Sequence, residues 1–120
     1  VLAGAADSLV DAGSARDAVR TGQVSAGSAP GEGAAFFRLE EGKRARSRGA
    51  KIWAVIQKAE RGGCDDSVWE SPIAEAVGVC GVASAPLWIA IQMGRGVSGT
   101  LRVGEASGAW SALSWRGTGK

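Results

Sequence analysis

The chain of 120 residues contains no histidine and no tyrosine. The missing histidine excludes the most. Without an imidazole, this chain alone cannot activate a nucleophile in a Ser–His–Asp or Cys–His arrangement. It also cannot supply a His-ligated zinc, haem or copper site. Carboxylates, lysines and thiols are the general acids and bases left. Cysteine is scarce too: Cys64 and Cys80 form no CxxC or multi-ligand pattern. They read as buried or free thiols of a reducing compartment, and a cytoplasmic location is expected. No cofactor or metal is implied.

Long apolar runs are also lacking. The longest largely apolar stretch, residues 82–93, is too short to span a bilayer and is interrupted by Pro86 and Gln92. No basic segment precedes an apolar core at the start, so no secretory signal is expected. Charge of one sign is missing as well. Lys and Arg number 14 against 12 Asp and Glu, a net charge of +2, too mild to require nucleic acid or a membrane surface as partner.

What the chain does have is small residues. Gly accounts for 19 positions and Ala for 22, while 45% of the chain is hydrophobic. That is a globular composition, at a length suited to one compact unit. Val1 opens an apolar run, which reads as the middle of something larger rather than a natural start.

Residues 1–6 suit a buried strand, with helix left open by so short a run. Residues 11–20 read as a polar helix with Asp11 at its N-cap. Residues 21–33 are loop, rich in Gly and Ser. Residues 34–40 form a strand candidate carrying Phe36, Phe37 and Leu39. Residues 41–48 are basic and helix-prone, with Gly49 placed to stop them. Residues 51–59 read as a strand, with helix as the alternative. Residues 61–70 are a polar connection and hold the best internal boundary, between Arg61-Gly62-Gly63 and Asp65-Asp66. Ser71 and Pro72 open a short helix. A further apolar helix covers residues 82–94, where Pro86 is tolerable only in the first turn. Residues 100–103 and 110–115 form a hairpin-like strand pair. Each half thus ends in a helix, a Gly-rich loop and two strands, a loose echo of internal duplication.

Two segments are specific in residue order: Pro30-Gly31-Glu32-Gly33-Ala34-Ala35-Phe36-Phe37-Arg38-Leu39-Glu40, then Lys43-Arg44-Ala45-Arg46-Ser47-Arg48-Gly49-Ala50-Lys51-Ile52. Together they resemble the β-ketoacyl synthases of the thiolase superfamily. In that family a GEGAA segment opens a strand ending in Leu-Glu, followed by a short basic helix and another strand. Val1-Leu2-Ala3-Gly4-Ala5-Ala6-Asp7-Ser8 resembles the strand that precedes this segment. Gly78-Val79-Cys80-Gly81-Val82-Ala83-Ser84-Ala85 lies where the family has a His-containing helix start. Residues 97–115 look like its two closing strands, with a degraded loop at Gly104-Glu105-Ala106-Ser107-Gly108-Ala109.

The resemblance implies an α/β chain with a partial thiolase-like fold: short mixed sheets with small-residue helices packed on them. Residues 1–60 would be the end of a ketosynthase's first half, 61–70 a connection, and 71–120 the end of the second half, packed as one unit. The implied ancestral reaction is condensation of acyl thioesters in fatty-acid or polyketide synthesis.

The departures imply no activity. The family's nucleophilic Cys lies upstream of the strand that begins here at residue 1. One family His belongs to a segment absent between Arg61 and Ser71. The other has Val79 in its place. Neither the enolate nor the oxyanion of such a condensation would be stabilised. Cys64 lies in a polar stretch and Cys80 has no base beside it. Adjacent acids, Glu40 with Glu41 and Asp65 with Asp66, point apart on regular elements and make poor shared sites.

Partner surfaces are the remaining expectation. Lys43, Arg44, Arg46, Arg48 and Lys51 form a basic run able to dock an acyl carrier protein, or to act as a plain basic binding surface. A solvated helix face is the simpler reading, because Glu40 and Arg44 stand four apart. In the resembled family the strand matching Val1, Leu2, Ala3, Gly4 and Ala5 pairs with its symmetry mate. A homodimer, or pairing with a catalytic ketosynthase subunit, is therefore expected at this edge. Of the tryptophans, Trp88 is expected in the core, and Trp69 is the expected interface anchor. Gly31 and Gly33 are read as allowing unusual φ and a close approach of another backbone, not as a phosphate loop, since a strand follows.

Overall fold

The computed structural model describes residues 1–10, 13, 16, 17, 20, 29–64, 72, 77, 78, 80, 83–104 and 108–118. Its elements run in the order β1 (Leu2–Ser8), β2 (Glu32–Arg38), α1 (Gly42–Ser47), β3 (Ala54–Gly62), α2 (Ser84–Gly94), β4 (Gly99–Gly104) and β5 (Trp110–Gly117). Helices and strands are both present, so the chain is α/β in the broad sense. Every pairing among the described strands is antiparallel. The expected mixed sheets are therefore corrected to two antiparallel ones, a two-stranded β1–β2 and a three-stranded β3–β5–β4.

The chain divides into two compact units, each drawn from two stretches of sequence. The first comprises Val1–Leu39 and Glu70–Trp88, the second Glu40–Trp69 and Ile89–Lys120.

In the first unit, β1 and β2 form a ribbon with Leu2 opposite Arg38 and Ser8 opposite Glu32. Pairing continues past both ends. Leu9 N donates to Gly31 O at 2.9 Å, and Leu39 N to Val1 O at 2.7 Å. Exposure alternates strictly on both strands, the period-2 signature of a ribbon with one face inward. Ala3, Ala5, Asp7, Gly33, Ala35 and Phe37 occupy the inner, half-buried face. Gly33 is needed there. A Cβ on it would lie 2.5 Å from Leu87 Cδ1 and 3.6 Å from Cys80 Sγ. Gly31 is equally constrained, since its Cβ would fall 2.2 Å from Val77 O. The close backbone approach expected at Gly31 is thus observed, whereas the left-handed φ falls at Gly78, φ +77°. The strand also begins earlier than expected, at Glu32. Among the described residues of this unit, Leu9, Cys80 and Ala83 are buried apolar groups.

In the second unit, β5 lies between β3 and β4. Leu101 stands opposite Leu113, and Gly99 opposite Trp115. The expected hairpin of residues 100–103 and 110–115 is present and longer at both ends. β3 starts at Ala54 rather than 51 and runs through Arg61 and Gly62, which were expected in a connection. A bulge between Ile56 and Lys58 shifts its register against β5. The two strand candidates of the first half do not pair with each other, because β2 joins β1 and β3 joins β5; the echo of duplication is not one of pairing. Ala45, Met93, Leu101 and Trp115 are buried. Trp115 anchors the unit, with Nε1 donating to Val97 O at 2.8 Å and its ring over Gly99.

Both helices stop by the same device. Gly49 N donates to Arg46 O and Ala50 N to Ala45 O after α1; Gly96 N donates to Met93 O and Val97 N to Gln92 O after α2. Gly49 and Gly96 each have φ +72°. These are Schellman caps, in which a left-handed glycine lets the last carbonyls be satisfied. Gly49 was expected to do this. Pro86 is the third residue of α2, inside the first turn as required. Trp88, expected in the core, is only half-buried. Of the expected 11–20 helix, Gly13, Arg16, Asp17 and Arg20 are helical. The N-cap at Asp11 and the Ser71 start lie outside the described residues.

Candidate functional site

Val1, Leu2 and Phe36, at and beside the β1–β2 ribbon, are the most exposed of the large apolar side chains among the described residues. The ribbon's outer face presents Leu2, Gly4, Ala6 and Ser8 from β1, and Arg38, Phe36, Ala34 and Glu32 from β2. Val1 is 89% exposed, Leu2 72% and Phe36 57%. A Cβ on Gly4 would lie 2.8 Å from Phe36 Cδ1, so the ring rests across the glycine. Ser8 Oγ donates to Glu32 Oε2 at 3.0 Å and ties the two strands at one end. Neither β1 nor β2 has a second neighbour strand among the described residues. Among the described residues, the segment expected as an edge, Val1, Leu2, Ala3, Gly4 and Ala5, pairs on one side only, toward β2. The exposure of Phe36 was not foreseen. The alternation Glu32, Ala34, Phe36, Arg38 was its available signal.

The inner side of the same ribbon holds the one buried thiol. Cys80 is fully buried. Its Sγ donates weakly to Gly78 O at 3.6 Å and Val77 O at 3.7 Å, and its backbone N donates to Ser84 Oγ at 3.1 Å. Burial pushes the thiol above its ordinary value, and the nearby charges of Asp7 and Glu32 push it further. All three disfavour the thiolate, the reactive form. The arrangement holds Cys80 as an inert packed thiol. Sequence reasoning denied it a base; it missed the two carboxylates, which come from distant strands. Cys64 is an exposed free thiol with φ +64° at the end of β3.

The basic run divides into distinct groups. Arg48 is tied to Glu40: Nε donates to Oε1 at 2.7 Å and Nη2 donates to the same oxygen. The Glu40 hydrogen bond raises the Arg48 guanidinium further above its usual range. Glu40 was expected to serve Arg44, four residues on; its carboxylate holds Arg48, eight residues on. Lys51 lies with Nζ 3.8 Å from the centre of the Trp53 ring, a cation–π contact. Lys43, Arg44 and Arg46 remain exposed on α1. Arg46 folds back toward Gly42, whose Cβ would meet its Nη1 at 3.1 Å. All five cations of the run are exposed, and two of them, Arg48 and Lys51, carry partners of their own in Glu40 and Trp53.

On the outer face of the three-stranded sheet, Arg102 stacks 3.9 Å over Trp110, Lys58 pairs with Glu60 at 3.0 Å, and Thr100 and Ser114 share a hydrogen bond. Only a shallow hollow, lined by Val103, Ala109, Trp110 and Ser111, accompanies it. Among the described residues no group of three or more Cys, Asp or Glu could hold a metal ion, and no helix is long and apolar enough to cross a membrane. The degenerate position Val79, the expected anchor Trp69 and the acids Asp65 and Asp66 lie outside the described residues. No family model, curated protein or solved structure matches the chain.

Proposed function

We propose that the chain is a non-catalytic, ketosynthase-like pairing module. In this reading it descends from, or is a piece of, a β-ketoacyl synthase of fatty-acid or polyketide synthesis. It works by offering the β1 edge to another strand, that of a second copy or of a catalytic ketosynthase subunit. The observation that carries the reading is the β1–β2 ribbon, which has no further neighbour strand among the described residues and has exposed, apolar Val1 and Leu2 at the β1 end. An unpaired apolar edge invites strand addition. The packed, thiol-form Cys80 supports a role without catalysis. Exposed Lys43, Arg44 and Arg46 would receive an acidic acyl carrier protein. The cytoplasm is the compartment in which Cys64 stays a free thiol.

Two experiments test this. Incubation with carrier-bound malonyl and acyl groups gives no condensation product; turnover by the isolated chain overturns the reading. Co-purification with an active ketosynthase subunit is lost on addition of a peptide of residues 1–8. A strictly monomeric chain that captures no subunit contradicts pairing.

A further inference from the structure

The outer face of the β1–β2 ribbon is distinct from its edge, and its residues fall in four cross-strand rows. They are Leu2 with Arg38, Gly4 with Phe36, Ala6 with Ala34, and Ser8 with Glu32. All eight residues are exposed. The rows are ordered by chemistry: a cation at one end, an anion at the other, one large ring in the second row and only methyl groups in the third.

This order is self-complementary. A two-fold axis perpendicular to the strands, passing between the second and third rows, brings the first row of one copy over the fourth row of the other. Arg38 then meets Glu32 of the mate at both ends. Phe36 meets the mate's Ala6 and Ala34, where the small side chains leave space for a ring. Facing sheets pack about 10 Å apart with strands nearly aligned, a separation that a Phe ring over alanines fills.

We infer that a second copy of this chain seats on the ribbon's outer face, in an isologous contact of Phe36 against Ala6 and Ala34, closed by two Arg38–Glu32 pairs. The contact covers surface that the first unit does not cover itself: its inner face is occupied by Leu87 and Cys80, its outer face by nothing among the described residues. Stacking a second ribbon on the outer face would add a layer opposite the one that Leu87 and Cys80 already supply. The contact leaves both β1 edges open. It deepens the pairing reading by fixing where a second copy lies, and it leaves the edge for the strand of another subunit.

The test is a charge exchange followed by sedimentation velocity of the full chain. Both sites are exposed, and circular dichroism confirms that each variant folds as the parent does. The parent associates. R38E and E32R each weaken self-association about tenfold or more, because each places like charges opposite one another. Mixing equal amounts of R38E and E32R restores association, since one copy then carries both acids and the other both bases. The double exchange E32R/R38E restores it as well. F36S weakens association without a charge change. Association of R38E and E32R at the parental strength overturns the inference, and so does a parent that stays monomeric. If those variants associate normally while the peptide of residues 1–8 still dissociates them, the face contact is wrong and the edge reading stands. If the charge exchange behaves as expected but the peptide has no effect and no ketosynthase subunit is captured, the edge reading falls and the face contact stands.

Discussion

The two units solve the same problem with different materials. The second buries Trp115 and Leu101 on its three-stranded sheet and Met93 and Ala45 on its helices. It closes its indole N–H with a hydrogen bond to Val97 O. Among the described residues the first buries Leu9, Cys80 and Ala83, and it leaves Val1, Leu2 and Phe36 exposed. The second unit also leaves Trp53, Ile56, Ile91 and Val97 exposed, so exposure alone does not separate the two. The difference among the described residues is one of layers and anchors: three paired strands around an indole in the second unit, two strands in the first.

Removing the anchor of the second unit is the strongest test of that contrast. Trp115→Ala empties the centre of β3–β5–β4 and removes the bond to Val97. It should cost about 3–5 kcal/mol, read as a lower urea midpoint with loss of amide protection in β4 and β5. No single truncation on the outer face of β1–β2 should approach this in a dilute sample. A larger loss from Leu2→Ala would break the comparison.

The caps come next. Gly96→Ala forces a side chain into a left-handed backbone at φ +72°, at about 1–2 kcal/mol. Gly49→Ala should behave similarly at α1. A cost near zero at both would mean that the Schellman turns do not hold the helix ends.

Alkaline pH should separate the units more gently. Cys80 in the folded chain titrates above its ordinary value near 9.0. The raised value favours the folded state while the thiol is protonated in the unfolded chain too. That contribution is complete below about pH 9 and is lost as pH rises through the folded value. The first unit should therefore lose stability above about pH 9, followed by amide exchange in β1 and β2. Cys80→Ala should flatten that limb. An unchanged pH profile in Cys80→Ala would remove the thiol from the account.

The smallest effect belongs to the exposed stack. Arg102→Ala should cost about 0.5–1 kcal/mol by loss of the contact over Trp110, measured by thermal melting.

Local features were largely legible in the sequence. Apolar and small residues in period two marked β1 and β2, Gly49 marked the end of α1, and Pro86 fixed the first turn of α2. The β4–β5 pair followed from two short strands around Gly104 and Gly108. Long-range partnerships were not legible. β3 pairs with a strand that is distant in sequence, and its bulge at Gln57 hides the alternation that would have set its start. Cys80 is likewise remote in sequence from Asp7 and Glu32. The site was half legible. The edge at residues 1–5 followed from composition and resemblance, but the outer face needed the register of β2 against β1 before Phe36, Ala6 and Ala34 could be placed together. Within the basic run, Arg48 and Lys51 have partners, Glu40 and Trp53, that spacing alone did not assign.

The central claim is that the β1–β2 ribbon is where this chain meets another. Amide hydrogen exchange measured over a range of protein concentrations tests it most directly. Protection in residues 2–8 and 32–38 should rise with concentration, while protection in residues 99–104 and 110–117 stays constant. Exchange in the ribbon that does not change with concentration, with or without an added ketosynthase subunit, would contradict the claim.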